Sequence, residues 1–89
     1  MDNLKLGNSI QYLDKDNKVL AEILFILNDD NTLTVYKTVV DECLKGQGIA
    51  GKLVNRVIEY AKINNLKIKA TCSYVQHYFE KNPNEIYSK

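Results

Sequence analysis

Tryptophan is absent, proline occurs once at Pro83, and glycine occurs only four times, so the sequence holds no linker or low-complexity tract. The lone histidine, His77, and the two separated cysteines, Cys43 and Cys72, have neither CxxC nor His/Cys ligand spacing. No metal is expected, and both thiols are read as reduced. Long apolar runs are missing too. Nothing approaches the length of a membrane span, and Met1 is followed by Asp2 and Lys5 rather than by an apolar leader. No membrane contact and a cytoplasmic location are therefore expected. Nor does charge of one sign prevail: 12 Lys and Arg against 11 Asp and Glu give +1. Such a balance provides no global field for nucleic acid, so any anion site must be local.

The chain has 89 residues, 45% of them hydrophobic, which suits one domain over 1–89 and one monomeric core. Ile10 to Leu13 reads as a strand, and the turn-forming run Asp14-Lys15-Asp16-Asn17 follows it. Val19 to Leu27 is apolar at nearly every position and predicts a central strand covered on both faces or nearly so, with a buried helix as the rival reading. Thr32 to Val40, rich in Thr, Val and Tyr, predicts a third strand. Ile49, Leu53, Val54, Val57, Ile58 and Ala61 then recur at helical steps, and Asn64-Asn65 closes that helix.

Leu66 to Cys72 alternates as a half-buried strand. Ser73 and Gln76 have capping-box spacing and predict the start of a second helix, which Pro83 ends. Residues 84–89 are expected to be a loosely held tail. The resulting fold class is α/β (α+β), with two helices and a mixed, mostly antiparallel sheet. Its last strand runs parallel to the strand before the first helix, because a helical crossover joins them.

The chemistry concentrates at Lys45-Gly46-Gln47-Gly48-Ile49-Ala50-Gly51-Lys52, where strand hands over to helix. Unpaired first-turn N–H groups and the positive helix end converge there, and absent side chains at Gly46, Gly48 and Gly51 would let a phosphate approach the backbone. The bland reading is that these glycines serve turn geometry alone. The string fits the dinucleotide pattern Gly-x-Gly-x-x-Gly, but positions 66–72 lack the acidic residue that holds a ribose. It also fits Gly-x-x-x-x-Gly-Lys, but Leu53 stands where a P-loop needs Ser or Thr for magnesium.

Leu44 to Leu53 resembles the acetyl-CoA loop of the GCN5-related N-acetyltransferases, whose pattern is Arg or Gln, two residues, Gly, one residue, then Gly or Ala. Lys45, Gly48 and Ala50 occupy those positions, the lysine keeping the charge but losing the planar fork. Cys72-Ser73-Tyr74-Val75-Gln76-His77-Tyr78, followed by Glu80-Lys81-Asn82-Pro83, resembles a second signature. It belongs to small members of the YjdJ or N-acetyltransferase-domain-containing-1 type, and the likeness runs from about Gly7 to Pro83. The resemblance implies acetyl-CoA as cosubstrate, an unidentified amine or protein acceptor, and a truncated version of the family fold without its early helical segment. It also implies a pantetheine groove between Val39-Val40 and Cys72.

The tyrosine that often protonates the departing thiolate in that family falls at Phe79, so Tyr74 or Tyr78 would have to supply the proton. Tyrosines in an apolar helical stripe are more often core residues with a tethered hydroxyl. Cys72 could accept the acetyl group, its thiolate favoured by a helix start, or could be a small hydrophobe. His77 is read as solvent-facing and Cys43 as an incidental loop thiol. Two functions follow, an N-acetyltransferase or a non-catalytic acyl-CoA binder. A third, nucleic-acid binding through Lys67, Lys69, Tyr74 and Tyr78, is outweighed by a solvated strand face at this net charge.

Overall fold

The computed structural model describes residues 7–88. Four strands, β1 (Gly7–Leu13), β2 (Val19–Leu27), β3 (Thr32–Val40) and β4 (Lys67–Ala70), lie side by side in sequence order. The β1–β2 and β2–β3 pairs are antiparallel and β3–β4 is parallel. Helix α1 (Ile49–Ile63) makes the crossover between β3 and β4, and α2 (Ser73–Lys81) follows β4.

The hairpins are set by local chemistry. Asp14 accepts the N–H groups of Asp16 and Lys18 at 2.8 and 2.9 Å, and Asn17 takes the left-handed conformation that Asn tolerates. At the second turn Asn31 does the same, while the Asn28 amide donates to the hydroxyls of Thr32 and Thr34.

The core lies between one sheet face and the two helices. Ala21, Ile23 and Phe25 of β2 pack there with Leu33 and Val35 of β3, Ile68 of β4, the apolar stripe of α1, and Val75 and Phe79 of α2. Phe25 meets Tyr60 of α1 with ring centroids 5.5 Å apart. The coverage of β2 departs from expectation. Only alternate residues are buried; Leu20, Glu22, Leu24 and Ile26, on the other face, are half-exposed. An apolar run therefore did not mean two covered faces, because both helices cross the same side.

A bulge between Leu24 and Phe25 matters for the site. Leu24 pairs with Lys37 and Phe25 with Val35, which leaves Tyr36 as the extra residue. The register shift puts Thr38 opposite Ile23 and Val40 opposite Ala21, both on the buried face of β2.

Three further expectations are corrected. Ser73 is the first residue of α2 rather than its cap; Cys72 takes the cap position with no side-chain cap bond. The Gln76 amide reaches the Ala70 carbonyl at 2.9 Å instead of returning to the helix start, so no capping box forms. Strand β4 stops at Ala70, two residues before Cys72. Nor is the C-terminal segment loose: Ile86 is buried, and Tyr87 stacks on Phe79 at 4.4 Å and bridges in parallel to Ile68.

Candidate cofactor cleft

The parallel ladder between β3 and β4 ends at Val35 and Ala70, yet β3 continues to Val40. Past that point the chain leaves the sheet: the N–H groups of Thr71 and Cys72 both turn to the Val35 carbonyl, at 3.0 and 3.3 Å. The side of β3 away from β2 is thus an open strand edge from Tyr36 to Val40 among the described residues. Such an edge offers main-chain donors and acceptors to an extended ligand.

After Val40 the chain makes a 3-10 turn at Glu42–Leu44, capped by the Asp41 carboxylate on the Cys43 N–H. That bond and a second one with the Cys43 thiol hold the Asp41 carboxyl below the usual range, and the same contact pushes the thiol up. Cys43 is thereby kept as a thiol in an exposed loop, without the character of a nucleophile. Gly46 and Gly48 follow in the left-handed region, with φ of 83° and 75°. A methyl group added at either would meet nothing within 4 Å, so both open onto free space.

Gly48 caps α1, and no side-chain hydrogen bond caps the helix start. The first-turn N–H groups are therefore without a side-chain cap, with the positive end of a 15-residue helix behind them. Among the described residues these features surround a cavity of about 510 Å³ lined by Thr38, Val39, Val40, Leu44, Lys45, Gly46, Gly48, Ile49, Ala50 and Tyr74. That volume lies in the usual range for small-molecule sites.

Most of the residues singled out from the loop pattern stand on this cavity, and three do not. Gln47 turns its amide to the Cys43 carbonyl at 3.2 Å. Gly51 faces α2, where an added methyl would lie 3.8 Å from the Tyr78 ring and 3.9 Å from the Tyr74 hydroxyl. It therefore lies against two tyrosines rather than on the cavity, and a methyl there would make only ordinary contact. Lys52 lines a different groove. Lys45 is paired with Glu42 at 3.7 Å, both side chains well exposed. Thr38 escapes the sequence reading because the bulge that aims it leaves no pattern of its own, and Leu44, the first residue of the loop resemblance, is carried to the cavity by the 3-10 turn.

The candidate acid and nucleophile separate clearly. Tyr74 lines the cavity, and burial raises its pKa above the ordinary tyrosine value, with Tyr78 and Cys72 adding to the shift. Tyr78 is engaged elsewhere, donating to the Asn55 amide oxygen of α1 at 3.2 Å. Cys72 is half-buried, with its sulfur 3.5 Å from the Thr38 hydroxyl. Phe79 is buried in the core, and His77 is exposed beside Glu80 at 3.7 Å. Among the described residues no group of three His, Cys, Asp or Glu side chains could hold a metal ion, and no helix is long and apolar enough to cross a membrane.

A family model of GCN5-related N-acetyl-transferases matches residues 10–89. The chain belongs to this family. A GCN5-like protein of Staphylococcus aureus, solved in solution, is 41% identical and superposes with a TM-score of 0.70 over 84% of this chain and 74% of its own. Protein NATD1 of Xenopus tropicalis is 30% identical over 63 residues, which make up 71% of this chain and 58% of the frog protein. Tetrahymena GCN5 superposes with a TM-score of 0.68 at 20% identity, over 84% of this chain and 49% of its own, a likeness of fold alone. The GCN5-related fold thus brings strand edge, glycine loop and helix start to one place.

Proposed function

We propose that this GCN5-related protein is an N-acetyltransferase that takes its acetyl group from acetyl-CoA and passes it to an amine. The observation that carries this reading is the uncapped start of α1 at the mouth of a cavity that continues along the open edge of β3. A diphosphate accepts from the first-turn N–H groups, and the left-handed backbone at Gly46 and Gly48 leaves room for it. The amide-bearing pantetheine arm then runs beside Val39 and Val40, whose backbone has no partner strand on that side among the described residues.

The transfer moves two protons. The neutral amine attacks the thioester carbonyl and gives up a proton to solvent water, the carbon–sulfur bond breaks, and the departing thiolate takes up a proton from a group of the chain. Tyr74 is the phenol on the cavity, and its raised pKa keeps it protonated through the neutral range, as an acid must be. Cys72 is the second candidate, as a transient acetyl acceptor, with Thr38 positioning its sulfur. Tyr78 is withdrawn from this role because its hydroxyl ties α2 to α1.

Release of free thiol from acetyl-CoA across a panel of small amines and lysine peptides tests the reaction. Turnover is expected with at least one acceptor, and Tyr74→Phe is expected to lower kcat by about 10²-fold or more with little change in acetyl-CoA affinity. Because the phenol must stay protonated, the alkaline fall in activity should come only as pH rises past the ordinary tyrosine range, while protonation of the attacking amine lowers activity on the acid side. Saturable binding with no turnover for any amine would instead select the non-catalytic acyl-CoA binder. If Cys72→Ala removes turnover and Tyr74→Phe does not, the acetyl group passes through the thiol.

Glu42 offers a separate handle on the cleft. It shares Lys45 through an exposed ion pair and places a negative charge beside the expected diphosphate. Glu42→Gln frees the lysine, so calorimetry should find acetyl-CoA binding tightened about two- to fivefold, with the gain shrinking at high salt. Weaker binding would show that Glu42 holds the loop in its receptive shape.

A further inference from the structure

Lys52 lines a second groove, of about 560 Å³, between β1 and α1. Its floor is apolar, made by Ile10 with Ile49 and Leu53, the last two each only 4% exposed. Arg56, one helical turn beyond Lys52, lines the same groove. The ion pairs among the described residues are Lys45 with Glu42, Lys69 with Asp30, and His77 with Glu80, and none engages Lys52 or Arg56. Glu59 also lines the groove, yet it is not within ion-pair distance of either cation. Two cations against one carboxylate leave the groove with a single net positive charge.

Cations with no ion-pair partner among the described residues, beside an apolar floor, form a receptor for a molecule that is anionic at one end and apolar along the rest. We propose that this groove is a second binding site, for a small monocarboxylate with an aliphatic chain. The carboxylate lies between Lys52 and Arg56, and the chain rests on Ile10, Ile49 and Leu53. Glu59 sets the valence: with a net charge of one, the groove suits a monoanion and disfavours a dianion. The site does not rest on the acetyl-transfer reading. Ile49 forms a wall of both grooves, so the second site adjoins the cofactor cleft without sharing its glycines or its lysine.

The test is an amide-resolved NMR titration of the full chain with hexanoate, hexanamide and hexylammonium in separate runs, then hexanoate again with the cofactor cleft saturated by CoA. Hexanoate is expected to move the amides of Gln11, Tyr12 and Lys52 to Arg56 saturably. Hexanamide should bind several-fold more weakly, and hexylammonium should leave these amides unmoved. Arg56→Gln and Lys52→Gln change exposed side chains, so their melting curves should match the parent while the hexanoate Kd rises about fivefold in each. Three results would overturn the proposal: no saturable response to hexanoate, equal responses to acid and amide or amine, or displacement of hexanoate by CoA. The last would make the groove part of the cofactor cleft.

Discussion

Replacing Gly48 by valine is expected to weaken acetyl-CoA binding at least about 30-fold, whereas Gly51→Ala should leave affinity within about twofold. Both are glycines of the same loop pattern, but they serve different ends. Gly48 sits at φ 75° with open space where a side chain would go. A β-branched residue in that conformation costs about 1–2 kcal/mol or more. Its methyl groups would also project into the space left for the diphosphate, and about 2 kcal/mol in total corresponds to the 30-fold loss. Gly51 is helical, and its nearest neighbours across the interface, Tyr78 and Tyr74, lie at ordinary contact distance from an added methyl. Alanine there adds helix propensity of about 0.5–1 kcal/mol and should raise the melting temperature slightly.

Isothermal titration of the two variants checks the pair. Gly48→Asn separates strain from bulk, because asparagine accepts the left-handed conformation while still filling the space. If Gly48→Val binds as well as the parent, the phosphate-cradle account of the loop is wrong. If Gly51→Ala loses affinity as severely as Gly48→Val, the two glycines act together and the division drawn between them fails.

The second large effect concerns the C-terminal segment. Removing residues 84–89 takes away the buried Ile86 side chain and the Tyr87 ring stacked on Phe79. It also removes two main-chain bonds to β4, the Ile68 N–H to the Ile86 carbonyl at 2.8 Å and the Ser88 N–H to the Ile68 carbonyl at 2.7 Å. Loss of a buried isoleucine costs about 2–4 kcal/mol and the stacked pair about 1 kcal/mol, so truncation should cost about 3–5 kcal/mol. For a domain of this size that lowers the melting temperature by about 12 °C or more, and a total stability of about 5–10 kcal/mol makes such a loss severe. Ile86→Ala should show roughly half to most of the effect while keeping the bridge to Ile68. A truncated chain that melts with the parent would mean that the segment contributes nothing to the fold.

That segment was read from sequence as a loose tail, and the reason for the error is physical. Its order comes from pairing with Ile68 and Phe79, contacts made across the chain that no local pattern in Asn84 to Lys89 announces. Helix α1 is the opposite case. Its apolar residues repeat along one face, and the same six are buried, since a 15-residue amphipathic segment has few other ways to hide them. Strand β2 lies between these extremes. Its apolar run identifies a strand but does not say which faces are covered, and here the helices cover one.

The cleft divides along similar lines. Its glycines and lysine are visible in sequence because the proposed phosphate cradle calls for backbone freedom and charge within a few neighbouring residues. Thr38 is aimed by the bulge in the β2–β3 pair, and Tyr74 reaches the cavity from α2, an element far along the chain from the glycine loop. Ser73 and Gln76 show the converse error. Their spacing suits a capping box, but the end of β4 leaves the Ala70 carbonyl open to Gln76, and the glutamine takes it.

Amide-resolved titration of the apo protein with acetyl-CoA, free CoA, NAD and ATP tests most directly whether α1 begins in a seat for the diphosphate of a CoA thioester. Amides of Gly46, Gly48, Ile49 and Ala50, together with those of Val39 and Val40, should shift with both CoA species far more than with NAD or ATP. Shifts confined to ATP, or none at these residues at saturating acetyl-CoA, would contradict the account.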